Sequence, residues 1–292
     1  MKGVILAAGD GTRLVPLTIN CPKPLLPVLG RPLLDYTIGA FVEAGLRELV
    51  LVIGYKGEMI RHYVGDGSRY GAGVEYAFNP DYQLGNALSV YAAQEVVGDE
   101  PFLLAMADHM ISPHILKALL ATQEGHDTLC VDHQAYAPPQ VNDATRVWVV
   151  TSHHATLSPE HGFARKGVTA CQVTSHHTTL CPERGFTRKG VTACQDEAGF
   201  IARIGKGIEP WNAIDTGVFL FTPRIFAAIS HLPRAGDEGC GISDAITWLI
   251  EKGHRMRACD VSGAFWMDVD TLDDLRYVEQ IMRTKEGKRW IR

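Results

Sequence analysis

The alternation of short apolar segments with segments of helical periodicity is the feature that most constrains how this chain can fold. In the first half, strands are predicted at Gly3 to Ala8, Glu48 to Ile53, Val74 to Phe78, Pro101 to Met106 and Asp127 to Asp132. Helices are predicted between them at Leu33 to Ala44, Gly57 to Val64, Asn86 to Val97 and Pro113 to Ala121. Strands that alternate with helices of this length form βαβ units, so the sequence predicts an α/β fold with a mostly parallel sheet. Because such sheets bind ligands beyond the carboxyl ends of their strands, we expect a site in the loops that follow them.

The second half of the chain begins with a different pattern. Ala144 to Val149 and Phe200 to Ile204 alternate with a period of two, and Asp215 to Phe221 is a further β-rich segment. These segments predict an antiparallel flap beside the parallel core. The remaining predicted elements are helices at Pro223 to Ser230, Ile242 to Lys252 and Thr271 to Thr284, and a strand at Arg255 to Val261.

A direct tandem repeat separates the two strands of this flap. Residues 150–172 and 173–195 are identical at 19 of 23 aligned positions. Two copies are fewer than a stacked repeat array needs, so we interpret 150–195 as an insertion within a hairpin of one domain that spans 1–292. The repeat also contains residues of types that bind Zn²⁺, namely His153, His154, Cys171, His176, His177 and Cys194. Because their spacing matches no closed zinc site, a metal-binding module is the less favoured interpretation.

Composition excludes several classes of protein. The net charge is −5, so no overall basic field indicates nucleic acid as a partner. No apolar segment approaches the roughly 18 residues of a transmembrane helix, so we expect a chain that is not embedded in a membrane. The N-terminal segment meets Asp10 too early for a secretory signal. Seven cysteines without a CxxC pair indicate reduced thiols, and a cytoplasmic location is expected.

A glycine-rich loop follows the first predicted strand. Gly9 and Gly11 allow a tight turn whose backbone N–H groups can face a triphosphate. Arg13 and Lys23 supply cationic donors to its oxygens. The segment is neither the G-x-G-x-x-G dinucleotide fingerprint nor a P-loop, and a plain strand-to-helix turn is the alternative interpretation of the loop alone.

The loop and a second segment together are more specific. Leu6 to Arg13 reads LAAGDGTR, and PKPLLPV begins nine residues later at Pro22. This combination resembles the signature of the sugar-phosphate nucleotidyltransferase superfamily over residues 1–149 and again from about 196 to 282. The resemblance implies a Rossmann-like core in which Arg13 meets the β- and γ-phosphates and Lys23 neutralises the phosphates around the reacting bond. It also implies that the nucleotide is held by Leu6, Ala7, Ala8, Gly9, Gly11 and Thr12.

Acidic residues at two places fit a metal ion. Asp108 directly follows the apolar segment that begins at Phe102. Asp268 and Asp270 lie directly before the last predicted helix. Mg²⁺ bridging triphosphate oxygens needs one or two carboxylates, and the resemblance implies that Asp108 and Asp268 hold it. Asp270 is a further candidate ligand. Its alternative roles are an N-cap of that helix or a capping partner of Asp273, with Thr271 as a competing cap.

The motifs that follow point to a subgroup. Asn79 and the GN-x-x-S pattern of Gly85, Asn86 and Ser89 resemble the nucleotide-facing stretch of cytidylyltransferases for phosphorylated polyols and choline. Ile204-Gly205-Lys206, followed by AIDTGVF from Ala213, is most similar to the CTP:inositol-1-phosphate cytidylyltransferases. By that resemblance Lys206 grips the acceptor phosphate and Asp215 lines the acceptor pocket; the alternatives are a solvated hairpin lysine and a turn acid. Ala107 departs from the family, in which glycine is common before the metal-binding acid.

The predicted function is therefore Mg²⁺-dependent transfer of a nucleoside monophosphate from an NTP, with CTP favoured, to a small phosphorylated alcohol or sugar such as inositol-1-phosphate. An acceptor phosphate is already anionic near neutral pH, so we assign no catalytic histidine. Two alternatives stay open. The chain could be a hexose-1-phosphate uridylyl-, guanylyl- or thymidylyltransferase, or a non-catalytic paralogue that binds nucleotide sugars, although Lys23 and the metal-binding acids that such a paralogue would lose are present. Both a monomer and a homo-oligomer are compatible with the sequence.

Overall fold

The computed structural model describes residues 1–122, 125–135, 141, 144–151, 199–233 and 240–284, and the statements below concern these residues. The strands are β1 (Gly3–Ala7), β2 (Pro27–Val28), β3 (Arg31–Pro32), β4 (Glu48–Ile53), β5 (Gly73–Phe78), β6 (Phe102–Met106), β7 (His109–Ile111), β8 (Asp127–Asp132), β9 (Arg146–Val149), β10 (Ile201–Gly205), β11 (Ala213–Phe221), β12 (Met256–Asp260) and β13 (Trp266–Asp268). The helices are α1 (Leu33–Glu43), α2 (Gly57–Val64), α3 (Asn86–Ala92), α4 (Gln94–Val97), α5 (Pro113–Ala121), α6 (Arg224–Ser230), α7 (Ile242–Glu251) and α8 (Leu272–Arg283).

A parallel core of four strands sets the position of the predicted site. β5, β4, β1 and β6 are neighbours in that order, and all of their pairings are parallel. Val4 of β1 pairs with Val50 of β4 on one side and with Leu104 of β6 on the other. The prediction that the first strand and the strand at Phe102 share one sheet is confirmed. Their carboxyl ends therefore lie side by side.

Strand β11 connects this parallel core to the rest of the described nine-stranded sheet. It runs antiparallel to β6, β8 and β9, and β12 continues the sheet parallel to β8. β9 pairs antiparallel with β10 on one side and with the first two residues of β11 on the other. The predicted α/β fold, with a mostly parallel sheet and an antiparallel flap, is confirmed for the described residues.

Helices cover both faces of the sheet because its central strands are apolar on both sides, as buried parallel strands must be. All five residues of β1 are buried. Val4 and Leu6 belong to a core cluster with α3, α6 and α7. Ile5 and Ala7 point the other way, into a cluster with α1, α2 and α5. This alternation follows from the two-residue period of a strand.

A small ribbon that the sequence did not predict shapes the site. β7 follows β6 after a two-residue turn and pairs antiparallel with β13, so that His109 lies opposite Asp268. Met110 of β7 and Met267 of β13 belong to a third apolar cluster, which also includes Val278 of α8. Each strand has only three residues, which is too short for hydrophobic periodicity to reveal.

One predicted helix is divided in two. The segment predicted as continuous from Asn86 to Val97 forms α3 and α4, separated by Ala93. The N–H of Ala93 bonds to the carbonyl of Val90, three residues back, which tightens the end of α3. The prediction of one uninterrupted helix was wrong at this point.

The two strands on either side of the repeat pair with each other. Val149 pairs with Ile201, and one step further the N–H of Val150 donates to the carbonyl of Phe200 at 2.9 Å. Val150, which the sequence analysis placed in the repeat, therefore belongs to the hairpin. The tandem repeat and its zinc-binding candidates lie outside the described residues. None of the helices within the described ranges has the length and apolar character that a membrane crossing requires.

Candidate functional site

The loop after β1 forms one wall of a cleft at the carboxyl ends of β1 and β6. Gly11 adopts the left-handed conformation, with φ +63°, and precedes a short 3₁₀ helix over Thr12–Leu14. A Cβ on Gly11 would lie 2.9 Å from the Cβ of Lys23 and 3.0 Å from Cγ2 of Thr18. The hydroxyl of Thr18 also donates to the Gly11 carbonyl at 3.0 Å. Both the backbone conformation and the lack of a side chain are therefore required at Gly11.

We expect Gly11→Ala to destabilise the fold, because it combines a left-handed backbone with contacts shorter than normal packing allows. The conformational term alone is about 1–2 kcal/mol, which corresponds to a drop of roughly 2–8 °C in the midpoint of thermal unfolding for a chain of this size. Gly9→Ala is the matched control, since a Cβ there meets nothing within 4 Å. Thermal unfolding of both variants, measured by circular dichroism, checks the prediction. Equal midpoints would contradict it.

Lys23 is the central cation of the cleft. It begins a 3₁₀ helix after Pro22, and only 6% of its surface is exposed. Its Nζ lies 2.7 Å from Oδ2 of Asp108, 2.6 Å from Oδ1 of Asp270 and 4.0 Å from Oδ1 of Asp268. Burial alone would lower the pKa of Lys23, but these carboxylates outweigh it and hold the pKa above its ordinary value. Lys23 is therefore charged throughout the physiological range, and its stem is held rigidly.

Asp270 is held by two cations. Its Oδ1 accepts from Lys23, and its Oδ2 lies 2.6 Å from Nη2 of Arg13. Arg13 is thereby fixed at the mouth of the cleft, with half of its side chain exposed. Each carboxylate oxygen of Asp270 thus has a cationic partner. The assignment of Asp270 as a metal ligand stays a prediction.

The alternative role proposed for Asp270, the N-cap of the last helix, belongs to its neighbour. Thr271 is the N-cap of α8, and its hydroxyl accepts from the backbone N–H of Asp274 at 3.2 Å. Asp274 in turn accepts from the N–H of Thr271 at 2.7 Å, which completes a capping box. The partner in this box is Asp274 and not Asp273.

Asp108, His109 and Asp268 converge next to Lys23. One donor atom from each lies within 4.8 Å of the others. The Nε2 atom of His109 is 3.6 Å from Oδ2 of Asp268 and 3.9 Å from Oδ1 of Asp108. Burial would lower the pKa of His109, but Asp268 and Asp108 raise it to about 10. Among the described residues, Oδ1 of Asp108 and Oδ1 of Asp268 are buried without a hydrogen-bond partner.

His109 is the residue of this group that the sequence analysis missed. It directly follows Asp108 in the sequence, which was the available signal. Only the β7–β13 pairing, which joins segments almost 160 residues apart, reveals that it faces Asp268.

The cleft itself has a volume of about 190 Å³ and is open to solvent. Of the residues predicted to meet nucleotide, metal or phosphate, those that line it are Leu6, Ala7, Gly9, Gly11, Thr12, Arg13, Lys23, Asp108 and Asp270. Asp10, Pro24 and Ala107 complete the lining. Ala8 is buried behind it, and its carbonyl accepts from the N–H of Tyr55 at 2.9 Å.

Asn79 and Ser89, which are predicted to face the nucleotide, contact each other, and their role in nucleotide binding stays a prediction. Nδ2 of Asn79 donates to the Ser89 hydroxyl at 3.0 Å, and both side chains are buried. Oδ1 of Asn79 accepts from the N–H of Asp81 at 2.9 Å. In this structure the pair joins the end of β5 to α3.

Gly85 and Asn86 dock α3 against the start of α7. A Cβ on Gly85, where φ is +124°, would lie 2.1 Å from the carbonyl oxygen of Cys240. Oδ1 of Asn86 accepts from the N–H of Ile242, the first residue of α7, at 2.9 Å. Both residues therefore have a structural role, and their assignment to the nucleotide stays a prediction.

The two residues predicted to bind the acceptor lie on opposite sides of the flap. Lys206 is exposed and directly follows β10. Asp215 lies within β11, where burial raises the pKa of its carboxyl to about 6 and the N–H of Gly217 donates to it at 2.7 Å. The next carbonyl, that of Thr216, contacts His109, so Asp215 adjoins the metal-binding candidates.

Two known proteins are similar in sequence to this chain. The chain is 31% identical over 281 residues to a bifunctional IPC transferase and DIPP synthase of Rubrobacter xylanophilus, an alignment that covers 95% of this chain and 51% of that protein. It is 27% identical over 288 residues to a glucose-1-phosphate thymidylyltransferase of Streptomyces griseus, which covers 97% of this chain and 66% of the relative. The chain thus spans between half and two thirds of the length of these relatives.

A solved structure shares the fold. The structure of the inositol-1-phosphate CTP transferase from T. maritima superposes with a TM-score of 0.73 at 22% identity, covering 100% of this chain and 97% of that one. The model of the family described as "Nucleotidyl transferase" matches residues 2–155, which is more than half of the chain. The chain therefore belongs to the nucleotidyl transferase family.

Proposed function

We propose that the protein transfers CMP from CTP to the phosphate of a phosphorylated polyol such as inositol-1-phosphate and releases pyrophosphate. The observation that carries this proposal is the convergence of Lys23, Arg13 and the carboxylates of Asp108 and Asp268 at the glycine-rich loop. Cations for a triphosphate and the carboxylate of Asp108 line one open cleft, and Asp268 lies next to them, 4.0 Å from Nζ of Lys23. The likeness to an inositol-1-phosphate CTP transferase and to a bifunctional IPC transferase supports the choice of substrates.

The reaction needs positioning and charge neutralisation. An anionic oxygen of the acceptor phosphate attacks the α-phosphorus, and the bond from that phosphorus to the bridging oxygen of pyrophosphate breaks. No proton has to be removed from the nucleophile, so a general base is not required. Lys23 faces the charge that develops around the reacting phosphorus, and Arg13 binds the leaving phosphates.

Mg²⁺ fits the residues that are present. The buried Oδ1 atoms of Asp108 and Asp268, which have no hydrogen-bond donor within the described part of the chain, are oxygen ligands of the kind that Mg²⁺ prefers. When bound, the ion would neutralise triphosphate charge. Asp270 has a different task in this proposal, since it orients Arg13 and Lys23.

A pyrophosphate-release screen tests the function. Four NTPs are combined with a panel of hexose, polyol and choline phosphates in the presence of Mg²⁺. We expect release with CTP and a polyol phosphate, above the release from either substrate alone. Release only with dTTP or UTP and a hexose-1-phosphate would instead identify a nucleotide-sugar enzyme, the alternative that the thymidylyltransferase relative favours. No release with any pair would indicate a non-catalytic binding protein.

Deleting residues 152–195 is expected to leave kcat within about tenfold of the full chain, or about 1.4 kcal/mol. The hairpin closes at Val150, whose carbonyl accepts from the N–H of Gly199. After the deletion, Thr151 and residues 196–198 would join the strands in a four-residue loop of a length common in hairpins. Turnover and thermal unfolding of the shortened chain check this prediction. An insoluble product, or a folded but inactive one, would show that the repeat is part of the acceptor site or of an interface.

A further inference from the structure

We propose that His109 is a third donor to the metal ion held by Asp108 and Asp268, and that the site consequently binds Mn²⁺ more tightly than Mg²⁺. The proposal rests on the function proposed above, because it concerns the metal site of that reaction.

The orientation of the ring is fixed by its second nitrogen. Nδ1 of His109 lies 2.9 Å from the carbonyl oxygen of Thr216. A carbonyl only accepts hydrogen bonds, so Nδ1 carries the proton and donates it. Nε2 is then the atom that faces Asp108 and Asp268. Because these carboxylates raise the pKa of the ring, Nε2 carries a proton before a metal arrives, and that proton is released to solvent when the ion binds in its place. Metal-binding histidines are commonly oriented in this way, with the non-ligating nitrogen bonded to a carbonyl or a carboxylate.

Packing fixes the plane of the ring as well. A Cβ on Gly217 would lie 2.4 Å from both Cε1 and Nδ1 of His109. The ring therefore lies directly on the backbone of β11, in space that the Cβ of any other residue at position 217 would occupy. On its other side, the register of β7 and β13 sets Asp268 opposite His109. The imidazole is thus held between two strands with Nε2 directed towards Asp108 and Asp268.

The distances suit a shared ion better than direct hydrogen bonds. Nε2 is 3.6 Å from Asp268 and 3.9 Å from Asp108, both beyond a normal hydrogen bond. Two donors that are each about 2.1 Å from one ion lie at most about 4.2 Å apart. The Asp108 oxygen nearest to Nε2 is Oδ1, which has no hydrogen-bond partner within the described residues. The other oxygen of Asp108, Oδ2, accepts a hydrogen bond from Nζ of Lys23.

A nitrogen donor changes the selectivity of the site. Mg²⁺ prefers oxygen ligands. An imidazole donor adds affinity for divalent transition-metal ions, least for Mn²⁺ and more for the later metals of the series. Two carboxylates and one imidazole therefore favour Mn²⁺ over Mg²⁺ in the absence of nucleotide. Loss of the imidazole should weaken the binding of Mn²⁺ more than that of Mg²⁺.

Pulsed EPR of the full-length protein loaded with Mn²⁺ alone provides the direct test. We expect a ¹⁴N hyperfine coupling typical of a directly bound imidazole, replaced by a ¹⁵N coupling when the protein is made with ¹⁵N-labelled histidine. This measurement uses the natural sequence and does not depend on a variant that folds. A spectrum without nitrogen coupling, or no binding of Mn²⁺, would overturn the proposal.

Variants supply the second test. His109→Gln is expected to weaken Mn²⁺ binding at least tenfold and Mg²⁺ binding less than threefold, measured by EPR titration and by competition. His114→Gln, at an exposed position on α5, is the matched control and should change neither. Equal losses for both metals in His109→Gln would contradict a nitrogen ligand. Because these readouts need no substrate, a failure of the metal proposal can be distinguished from a failure of the proposed function in the pyrophosphate-release screen.

Discussion

Replacing Lys23 by methionine is expected to lower kcat for pyrophosphate release by about 100- to 1000-fold, or 2.7–4 kcal/mol, by analogy with the removal of one preorganised donor. The physical reason is the fixed position of its charge. Nζ is held between Asp108 and Asp270 on a stem of which almost nothing is exposed, so it needs no reorganisation as charge develops on the phosphates. Methionine keeps most of the apolar stem and removes only the cation. The measurement is turnover at saturating NTP and acceptor.

The control for this variant is a lysine outside the cleft. Lys117→Met removes a partly exposed lysine whose ion pair with Glu43 spans 3.2 Å on the surface, and it should leave turnover unchanged. Lys23→Met should in addition lower the unfolding midpoint, because it leaves neighbouring carboxylates without their shared cation. Turnover of folded Lys23→Met within about threefold of the unchanged protein would refute the assigned role.

The sequence was sufficient to predict the part of the fold that depends on long, periodic segments. Continuous apolar strands and the helices between them predicted the parallel core, and β1 and β6 lie in one sheet as expected. The ribbon of β7 and β13 could not be predicted, because three residues carry no measurable period and their pairing joins distant segments. The position of Asp268 beside Asp108 depends on that ribbon.

The candidate site shows a second limit of sequence reasoning. The residue types and order around Gly11 predicted a phosphate-facing loop, and the structure places Lys23 and Asp108 at that loop. The pattern of Asn79, Asn86 and Ser89 predicts nucleotide binding, and this stays a prediction; in the structure these side chains bond to each other and to neighbouring backbone. A polar residue in a motif has the same letter whether its partner is a ligand or the protein. The sequence alone therefore does not reveal the contacts that these residues make within the protein.

Replacing Asp108 by asparagine is expected to lower kcat by at least about 100-fold and to raise the Mg²⁺ concentration needed for half-maximal turnover, since a metal ligand contributes several kcal/mol of charge stabilisation. The amide has the volume of the carboxylate, and its oxygen can still accept from Lys23, so packing is conserved. About a quarter of the Asp108 side chain is exposed, and we therefore expect the variant to fold.

Two comparisons separate a metal role from a purely structural one. Asp273→Asn, on the exposed first turn of α8, removes a carboxylate that pairs with Arg276 and should leave both kcat and the Mg²⁺ dependence unchanged. Because Asp108 and Lys23 are in direct contact at 2.7 Å, the double variant Lys23→Met, Asp108→Asn should lose less activity than the product of the two single losses. Near-normal turnover of Asp108→Asn at saturating Mg²⁺, or strict additivity in the double variant, would mean that the metal and the reacting phosphates lie elsewhere in the cleft.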